Sequence, residues 1–483
     1  MDGRPLRRVD TPDRTQWLTL SATCLGVLMM ALDSTVVNVA LPSIQSDLSV
    51  TESSLVWIVN GYFIPYGGFL PACGRLGDYY GHRRIFLLGI AVFTLASFGC
   101  GIAGSLTLLV SARVVQGIAA AAISAVSLSL TVHEFTEPTV RARALAIYSC
   151  VSSCGASAGL FLGGILTSAL NWRWIFLINL PLGALVYLLC QGVQIRSDRR
   201  QKDAPLDFWG AATITTSLAL VIYAVLNTSI AGWGSAYVVA PLGGGLVCFA
   251  LFLVIESRSR DPILPFDLFN HHNLRIMVIA GCLWSAAQNA WFFISALDLG
   301  HLLGHDAFRV GLAFLPATLL MSALSLGLST KLVTRFGARP PLTAGLVCIA
   351  AALVLQSRAP VDANFMRDIF PSMLLIGLGV GIANSPYLLS ALTGLKEDTY
   401  GLVSGLLNGS RVLAGTFGIA SIASIAAARS SHLLGTGMRM PMALHSGYNL
   451  AYILSAASTL SAALVSLSHR RMTHRPQGER FHS

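Results

Sequence analysis

Asp33 and Arg113 are ionisable groups inside long apolar runs. Such a group costs about 2.5–3.5 kcal/mol to insert into hydrocarbon, so it pairs or lines a wet cavity. Asp33 lies eight residues before Leu41, where the first run ends, and Arg113 lies seven after Leu106, where the fourth begins. At the helical rise, both sit about 10–12 Å below the same edge. A carboxylate and a guanidinium at one depth can pair. Either Asp33 takes a proton when Arg113 or a substrate moves away, or the two form a permanent structural ion pair. Asp298 is the other carboxylate well inside an apolar run, and His301 follows three residues later on the same helix face. That pair could relay protons, recognise a cation or mark a hydrated mouth. Arg411, one turn after Asn408, has no acidic neighbour in sequence. It is expected to bond backbone carbonyls or polar groups of another helix.

The elements that must hold these groups follow from composition. Of 483 residues, 54% are apolar and 11% charged, against roughly a quarter charged in soluble domains. The mean hydropathy is +0.67, so the outside must be apolar too. This is the composition of an integral membrane protein; it excludes a disordered chain, collagen and a secreted disulfide scaffold. The net charge of +10 would suggest nucleic acid in a soluble protein, but here it reads as basic loops beside a bilayer. Nine cysteines, odd in number and without CxxC spacing, read as small core residues rather than metal ligands or disulfides.

A helix needs about 20 mostly apolar residues to cross ~30 Å of hydrocarbon. Fourteen stretches qualify, starting near Trp17, Leu55, Ile85, Leu106, Leu145, Trp174, Phe208, Tyr237, Ile276, Val310, Pro341, Ile369, Leu402 and Tyr448. The polar, basic first sixteen residues and the absence of a small-residue cleavage site mark an uncleaved first span. With both termini in the cytoplasm, 24 Lys and Arg fall in cytoplasmic segments and six in the opposite loops, as the positive-inside rule requires. The expected organisation is a cytoplasmic tail (1–16), a six-helix bundle (17–193), a linker with spans 7 and 8 (194–256), a second six-helix bundle (257–468) and a cytoplasmic tail (469–483). Spans 7 and 8 are expected to flank a turn from Asn227 to Ser235.

No Walker-type GxxxxGK[ST] exists, so no nucleotide partner is expected. His133-Glu134 lacks the second His of a zinc-protease motif. Gly377-Leu-Gly-Val-Gly381 sits inside an apolar span with no strand before it, which suits close helix packing. With no cofactor and no catalytic constellation, uphill work must come from an ion gradient.

Several motifs now fall in order. They are Leu32-Asp33-Ser-Thr35-Val-Val-Asn38-Val-Ala40-Leu-Pro42 in span 1, Gly74-Arg-Leu-Gly-Asp78-Tyr-Tyr-Gly81-His-Arg83-Arg84 after span 2, Arg113-Val-Val-Gln116-Gly117 in span 4 and Trp172-Arg173-Trp174-Ile-Phe-Leu-Ile-Asn179-Leu-Pro181 after span 5. A weaker loop signature recurs at Arg335-Phe-Gly337-Ala-Arg339. Along essentially its whole length the chain resembles the major facilitator superfamily and, within it, the fourteen-span drug:proton antiporters. The resemblance implies an all-α polytopic fold of two six-helix bundles with two additional central helices. It implies proton coupling through Asp33 and Arg113; Asp298, singled out by its place in an apolar run, stays a further candidate. It also implies a cytoplasmic latch in which Asp78 pairs with Arg83, Arg84, Arg141 or Arg143, with Gly74 and Gly81 allowing the tight turn. In span 5, Gly155, Gly159, Gly163 and Gly164 resemble the antiporter motif GxxxGPxxGG and give a smooth packing face. Leu160 stands where that family usually has proline. Span 9 also departs from the branch, with Gly300 where Gln is frequent and Asp298 where Tyr is.

The implied cavity lies between the bundles. Its candidates are Asn38, Asn60, Tyr62, Gln116, Trp284, Gln288, Asn289, Asn384, Tyr387, Asn408 and Arg411, amides and aromatics suited to large, partly apolar, often cationic molecules. The expectation is a proton-coupled exporter of amphipathic organic compounds, multi-pass in the plasma membrane. Its partners are a small-molecule substrate, protons and the lipid bilayer. The alternatives are a dedicated exporter of one endogenous product (an antibiotic, siderophore or lipid) and a non-transporting membrane receptor.

Overall fold

The computed structural model describes residues 14–191, 208–258, 270–395 and 400–468, apart from 136, 233 and 327. The described residues are helical throughout, joined by short turns. The first group comprises α1 (Arg14–Leu48), α2 (Glu52–Tyr80), α3 (His82–Gly101), α4 (Leu106–Glu134), α5 (Pro138–Ala169), the short α6 (Trp174–Leu177), α7 (Asn179–Gln191) and α8 (Phe208–Ala231). Then follow α9 (Ala236–Arg258), α10 (His272–His301), α11 (Ala307–Leu326), α12 (Leu328–Phe336) and α13 (Arg339–Gln356). A π-helical turn, Phe365–Ile369, leads into α14 (Phe370–Leu392), and α15 (Tyr400–Gly435) and α16 (Met440–Ser466) are the last helices among the described residues. They form two compact units, one within Met1–Val50 and Trp57–Thr215, the other within Thr51–Val56 and Thr216–Ser483.

Among the described residues, eleven helical stretches are long and apolar enough to cross a membrane. The other three expected starts, Leu55, Leu145 and Phe208, fall on α2, α5 and α8, of 29, 32 and 24 residues. The turn between α8 and α9 is shorter than expected, because the helix continues through Asn227 to Ala231.

Helix α3 illustrates how such a sequence sorts its faces. Phe86, Gly89, Ile90, Phe93, Ser97 and Cys100 recur at helical spacing and are buried, while Leu88 and Leu95 on the opposite side are 60% and 71% exposed. Both faces are apolar, so polarity cannot decide which one packs. Small and aromatic residues take the protein side and leucines the outside, as expected where lipid replaces water.

Helix ends have identifiable causes. Ser105 caps α4 by accepting from the Leu108 amide. The sixth span breaks between α6 and α7 because Pro181 cannot donate to the Leu177 carbonyl, and Asn179 stands at that break. In α14, Pro386 frees the Ile382 carbonyl in the same way, and Ser329 Oγ donates to it at 2.9 Å.

The expected first loop is almost entirely helix. α2 runs through Gly74 and Asp78 to Tyr80, and α3 starts at His82, so Gly81 with φ 96° is the whole turn. A side chain there would be strained. Gly337, with φ 78°, occupies the same position between α12 and α13. Gly74 therefore makes no turn, and an added methyl there would barely touch Ala125. The close helix approach belongs to Gly77, where a methyl would run into Val126.

Trp172 and Arg173 tie two connections to the end of α1. Trp172 Nε1 and Arg173 Nη1 each donate to Asp47 Oδ2 at 2.9 Å, and Arg173 Nη2 donates to the Ala103 carbonyl at 3.2 Å. The Asp47 side chain is 45% exposed, so Asp47→Asn is expected to lower stability by under about 1 kcal/mol. Thermal unfolding in detergent checks this.

Candidate functional site

The first unit buries one polar cluster completely. Asp33 on α1 and Arg113 on α4 are paired, with Arg113 Nη1 donating to Asp33 Oδ2 at 2.5 Å and both side chains at most 1% exposed. The depth match read from sequence is thus met by direct contact. Gln116, one turn after Arg113, donates to Asp33 Oδ1 and to Ser97 Oγ, each at 2.8 Å, and its own Oε1 accepts from Arg113 Nη1 at 2.8 Å. Asn179, at the break before α7, donates to Asp33 Oδ1 at 3.1 Å and to Ser97 Oγ at 3.3 Å. Arg113 Nε donates to the Ile58 carbonyl of α2 at 3.1 Å. Its guanidinium lies 4.3 Å from the Tyr62 ring centre and 5.7 Å from that of Phe176.

Three helices thus meet at one carboxylate: α1 carries it, and α4 and α7 supply its donors. Asp33 accepts three hydrogen bonds from three side chains. Three of its roughly four acceptor positions are filled, and a proton on Asp33 would cancel the charge that Arg113 faces. The charge state of Asp33 and the packing of α1 against α4 and α7 are mechanically linked.

Close packing positions this cluster. On α5, methyl groups added at Gly155, Gly159 and Gly163 would meet Leu28 and Ala31, Leu32 and Thr35, and Val36, respectively, all on α1 around Asp33. Gly164 is buried beside them and Leu160 is fully buried. The glycine face expected on span 5 is therefore the seat of α1. Gly159→Val is expected to cost about 1–3 kcal/mol by overpacking against the Leu32 backbone, visible as a lowered melting temperature in detergent. On α4, Gly117 lies so close to the Tyr62 carbonyl that an added methyl would enter it.

Two cavity candidates belong to this buried cluster, and a third lies on the same helix as Tyr62. Gln116 is an Asp33 ligand, Tyr62 is the ring beneath Arg113 and stacks on Tyr66 with centroids 5.9 Å apart, and Asn60 is fully buried. Asn38 approaches its own helix, with Nδ2 at 3.5 Å from the Ser34 and Thr35 carbonyls. Ser97 and Asn179 were not singled out as site residues. Only the helix-breaking Pro181 two residues on could have drawn attention to Asn179.

Of the latch, the Asp78 side chain lies outside the described residues. Arg83 Nη2 donates to the Cys190 carbonyl at the end of α7 at 2.7 Å, while Arg84 and Arg143 are exposed and Arg141 is partly buried.

The second unit holds two further clusters. Asp298 on α10 accepts from Tyr452 Oη of α16 at 2.7 Å. Tyr452 Oη lies 3.2 Å from Ser295 Oγ, to which Gln356 Nε2 donates at 3.1 Å, and Gln356 Oε1 accepts from Trp291 Nε1 at 2.9 Å. His301 Nδ1 lies 2.9 Å from Tyr448 Oη. Asp298 and His301 each meet a tyrosine of α16, at places one turn apart.

The other cluster surrounds Arg411 on α15. Its guanidinium is 4.7 Å from the Trp284 ring centre and 5.3 Å from that of Tyr387. This corrects the expectation of carbonyl bonding: the group lies on two aromatic rings, and its Nε has no hydrogen-bond partner. Asn289 Nδ2 donates to the Ser285 carbonyl at 2.9 Å, and Ser285 Oγ to the Arg411 carbonyl at 2.7 Å, joining α10 to α15. Asn384 and Asn408 are exposed, while Gln288 is half-buried with Oε1 unpaired.

Several known proteins are similar to this chain. A cephamycin export protein (CmcT) of Amycolatopsis lactamdurans is 34% identical over 454 residues, covering 93% of this chain and 92% of that relative. A multidrug resistance protein (Stp) of Mycobacterium tuberculosis is 34% identical over 418 residues, covering 86% of this chain and 77% of the relative. Among solved structures, a D-xylose-proton symporter superposes with a TM-score of 0.67 at 14% identity, covering 94% of this chain and 98% of that one, which bears on fold alone. The family description "Major Facilitator Superfamily" matches residues 23–419. The chain is a multi-pass membrane protein and belongs to the Major Facilitator Superfamily.

Proposed function

We propose that this protein is a fourteen-span drug:proton antiporter that exports amphipathic organic compounds, often cationic, across the plasma membrane by alternating access. The observation that carries the reading is the fully buried Asp33 carboxylate, whose oxygens are occupied by Arg113, Gln116 and Asn179. Uptake of a proton there cancels the charge that pairs with Arg113 and so loosens α1 from α4, and a shift of helices in response to a proton is what coupled transport needs. The energy source is the proton gradient, with no cofactor and no nucleotide.

Fourteen spans are reached by adding α2, α5 and α8 to the eleven stretches long and apolar enough to cross. The excess of basic residues then puts both termini in the cytoplasm. In this reading α8 and α9 are the additional pair, Asp78 with its neighbouring arginines forms the cytoplasmic latch, and the exposed Asn384 and Asn408 meet substrate. Relatives named for multidrug resistance support the substrate class. One comparison favours a second reading, a dedicated exporter of one endogenous product: a relative covering 93% of the chain is named a cephamycin export protein.

Uptake of ethidium into everted membrane vesicles with and without an imposed proton gradient tests the proposal. Gradient-driven accumulation above that of vesicles lacking the protein is the expected result. If the dye is not moved, the dedicated-exporter reading takes its place.

A further inference from the structure

The cluster around Arg411 has a composition that the export reading leaves unused. Trp284 and Tyr387 are 1% and 3% exposed, and their rings pack edge to face with centroids 5.8 Å apart. Three donors in the cluster lack a partner: Arg411 Nε, Trp284 Nε1 and Tyr387 Oη. No acceptor is paired with them, and no carboxylate is paired with Arg411 among the described residues. Of the three helices concerned, α14 and α15 carry no acidic residue, and α10 carries only Asp298. Asp298 lies fourteen residues beyond Trp284, about 21 Å along the helix, and is held by Tyr452.

The rings offset part of the cost of the cation but do not satisfy its N–H groups. The packing makes room for this geometry. Tyr387 lies across Gly281 so closely that an added methyl would overlap its hydroxyl, and Gly415, one turn after Arg411, is packed against Asn289 and Ser285. A cation, an indole N–H and a phenol O–H that adjoin one another and lack acceptors form a receptor for an anion, with aromatic walls for an apolar body beside it.

We infer that Arg411, Trp284 and Tyr387 bind the carboxylate of an amphipathic organic substrate. This rests on the export reading and narrows it: the transported compounds include molecules bearing an organic acid, alone or together with a positive charge. A carboxylate accepts from the guanidinium and from the indole or phenol donor, while the apolar remainder of the substrate lies against the rings.

The test uses the purified chain in lipid nanodiscs, titrated with 1-pyrenebutyrate and with its methyl ester. Energy transfer from tryptophan is read, with empty nanodiscs subtracted. The expected result is that Arg411→Gln lowers the preference for acid over ester about 10-fold or more, the scale of a charge-assisted hydrogen bond. Arg411→Lys, which keeps the charge, retains part of it. Tyr387→Phe keeps the ring and loses a few-fold of the preference, which reads the site even where Arg411→Gln fails to fold. An acid-to-ester preference unchanged by both Arg411→Gln and Tyr387→Phe overturns the inference. Ethidium transport by the native chain in everted vesicles separates the two claims. Dye transport without acid preference sinks only the carboxylate site, and acid preference without gradient-driven dye transport sinks the multidrug reading while the site stands.

Discussion

Asp33→Asn is expected to abolish proton-driven dye uptake in everted vesicles, a loss of at least about 10-fold, the effect of about 1.4 kcal/mol. The side chain keeps its shape but loses its charge and one acceptor. Its amide oxygen can still accept from Gln116 and Asn179, which approach Oδ1 in the native chain. The new amide nitrogen then faces Arg113 Nη1, donor against donor. Arg113 is left as a cation 1% exposed without a counter-charge, a situation that typically costs about 3–5 kcal/mol. The loss of transport therefore has to be separated from loss of fold. Asp33→Asn/Arg113→Gln removes both charges and is expected to recover much of the melting temperature lost by Asp33→Asn alone, with transport still absent. Native rates of gradient-driven uptake by Asp33→Asn would remove Asp33 from the coupling path and make Asp298 the next carboxylate to test.

The second large effect is expected at Gly117. A side chain there meets the Tyr62 carbonyl and Pro65. These belong to the backbone and a rigid ring, and neither can turn aside. Gly117→Val must therefore separate α4 from α2. That separation also draws Tyr62 from beneath Arg113 and stretches the bond from Arg113 Nε to the Ile58 carbonyl. Overpacking alone costs about 1–3 kcal/mol, and the lost polar contacts add to it. The expected outcome is a melting temperature well below that of Gly159→Val, with transport lost as well. An unchanged melting temperature would mean that the two helices are not held this closely.

The pairing of Asp33 with Arg113 was legible because helical rise converts sequence position into depth, and two opposite charges at one depth in an apolar slab have a strong reason to meet. Depth says nothing about direction around the helix. For that reason Gln116 and Tyr62 read from sequence only as cavity residues, and their packing around Asp33 and Arg113 was not legible. Asn179 and Ser97 are neutral and carry no visible cost in a hydropathy profile. Asn179 gains its position from the break that Pro181 imposes, a local effect within a span that otherwise reads as continuous. The motif at the end of span 2 looked like a loop because it is rich in charge and glycine, yet only Gly81 leaves the helix. Arg411 was recognised as unpaired in sequence, but its seat on Trp284 and Tyr387 depends on the mutual rotation of α10, α14 and α15. The face of α5 was readable, since glycines spaced by four leave room for one partner helix, although the pattern alone did not name α1.

Proton movement against substrate movement tests the central claim most directly. The purified chain is reconstituted in liposomes holding a pH-sensitive dye, and an outward ethidium gradient is imposed without any initial pH difference. Inward proton flux that depends on the ethidium gradient, disappears in Asp33→Asn and is masked by a protonophore is the predicted result. Ethidium efflux at full rate with no accompanying proton movement would contradict proton-coupled export through Asp33.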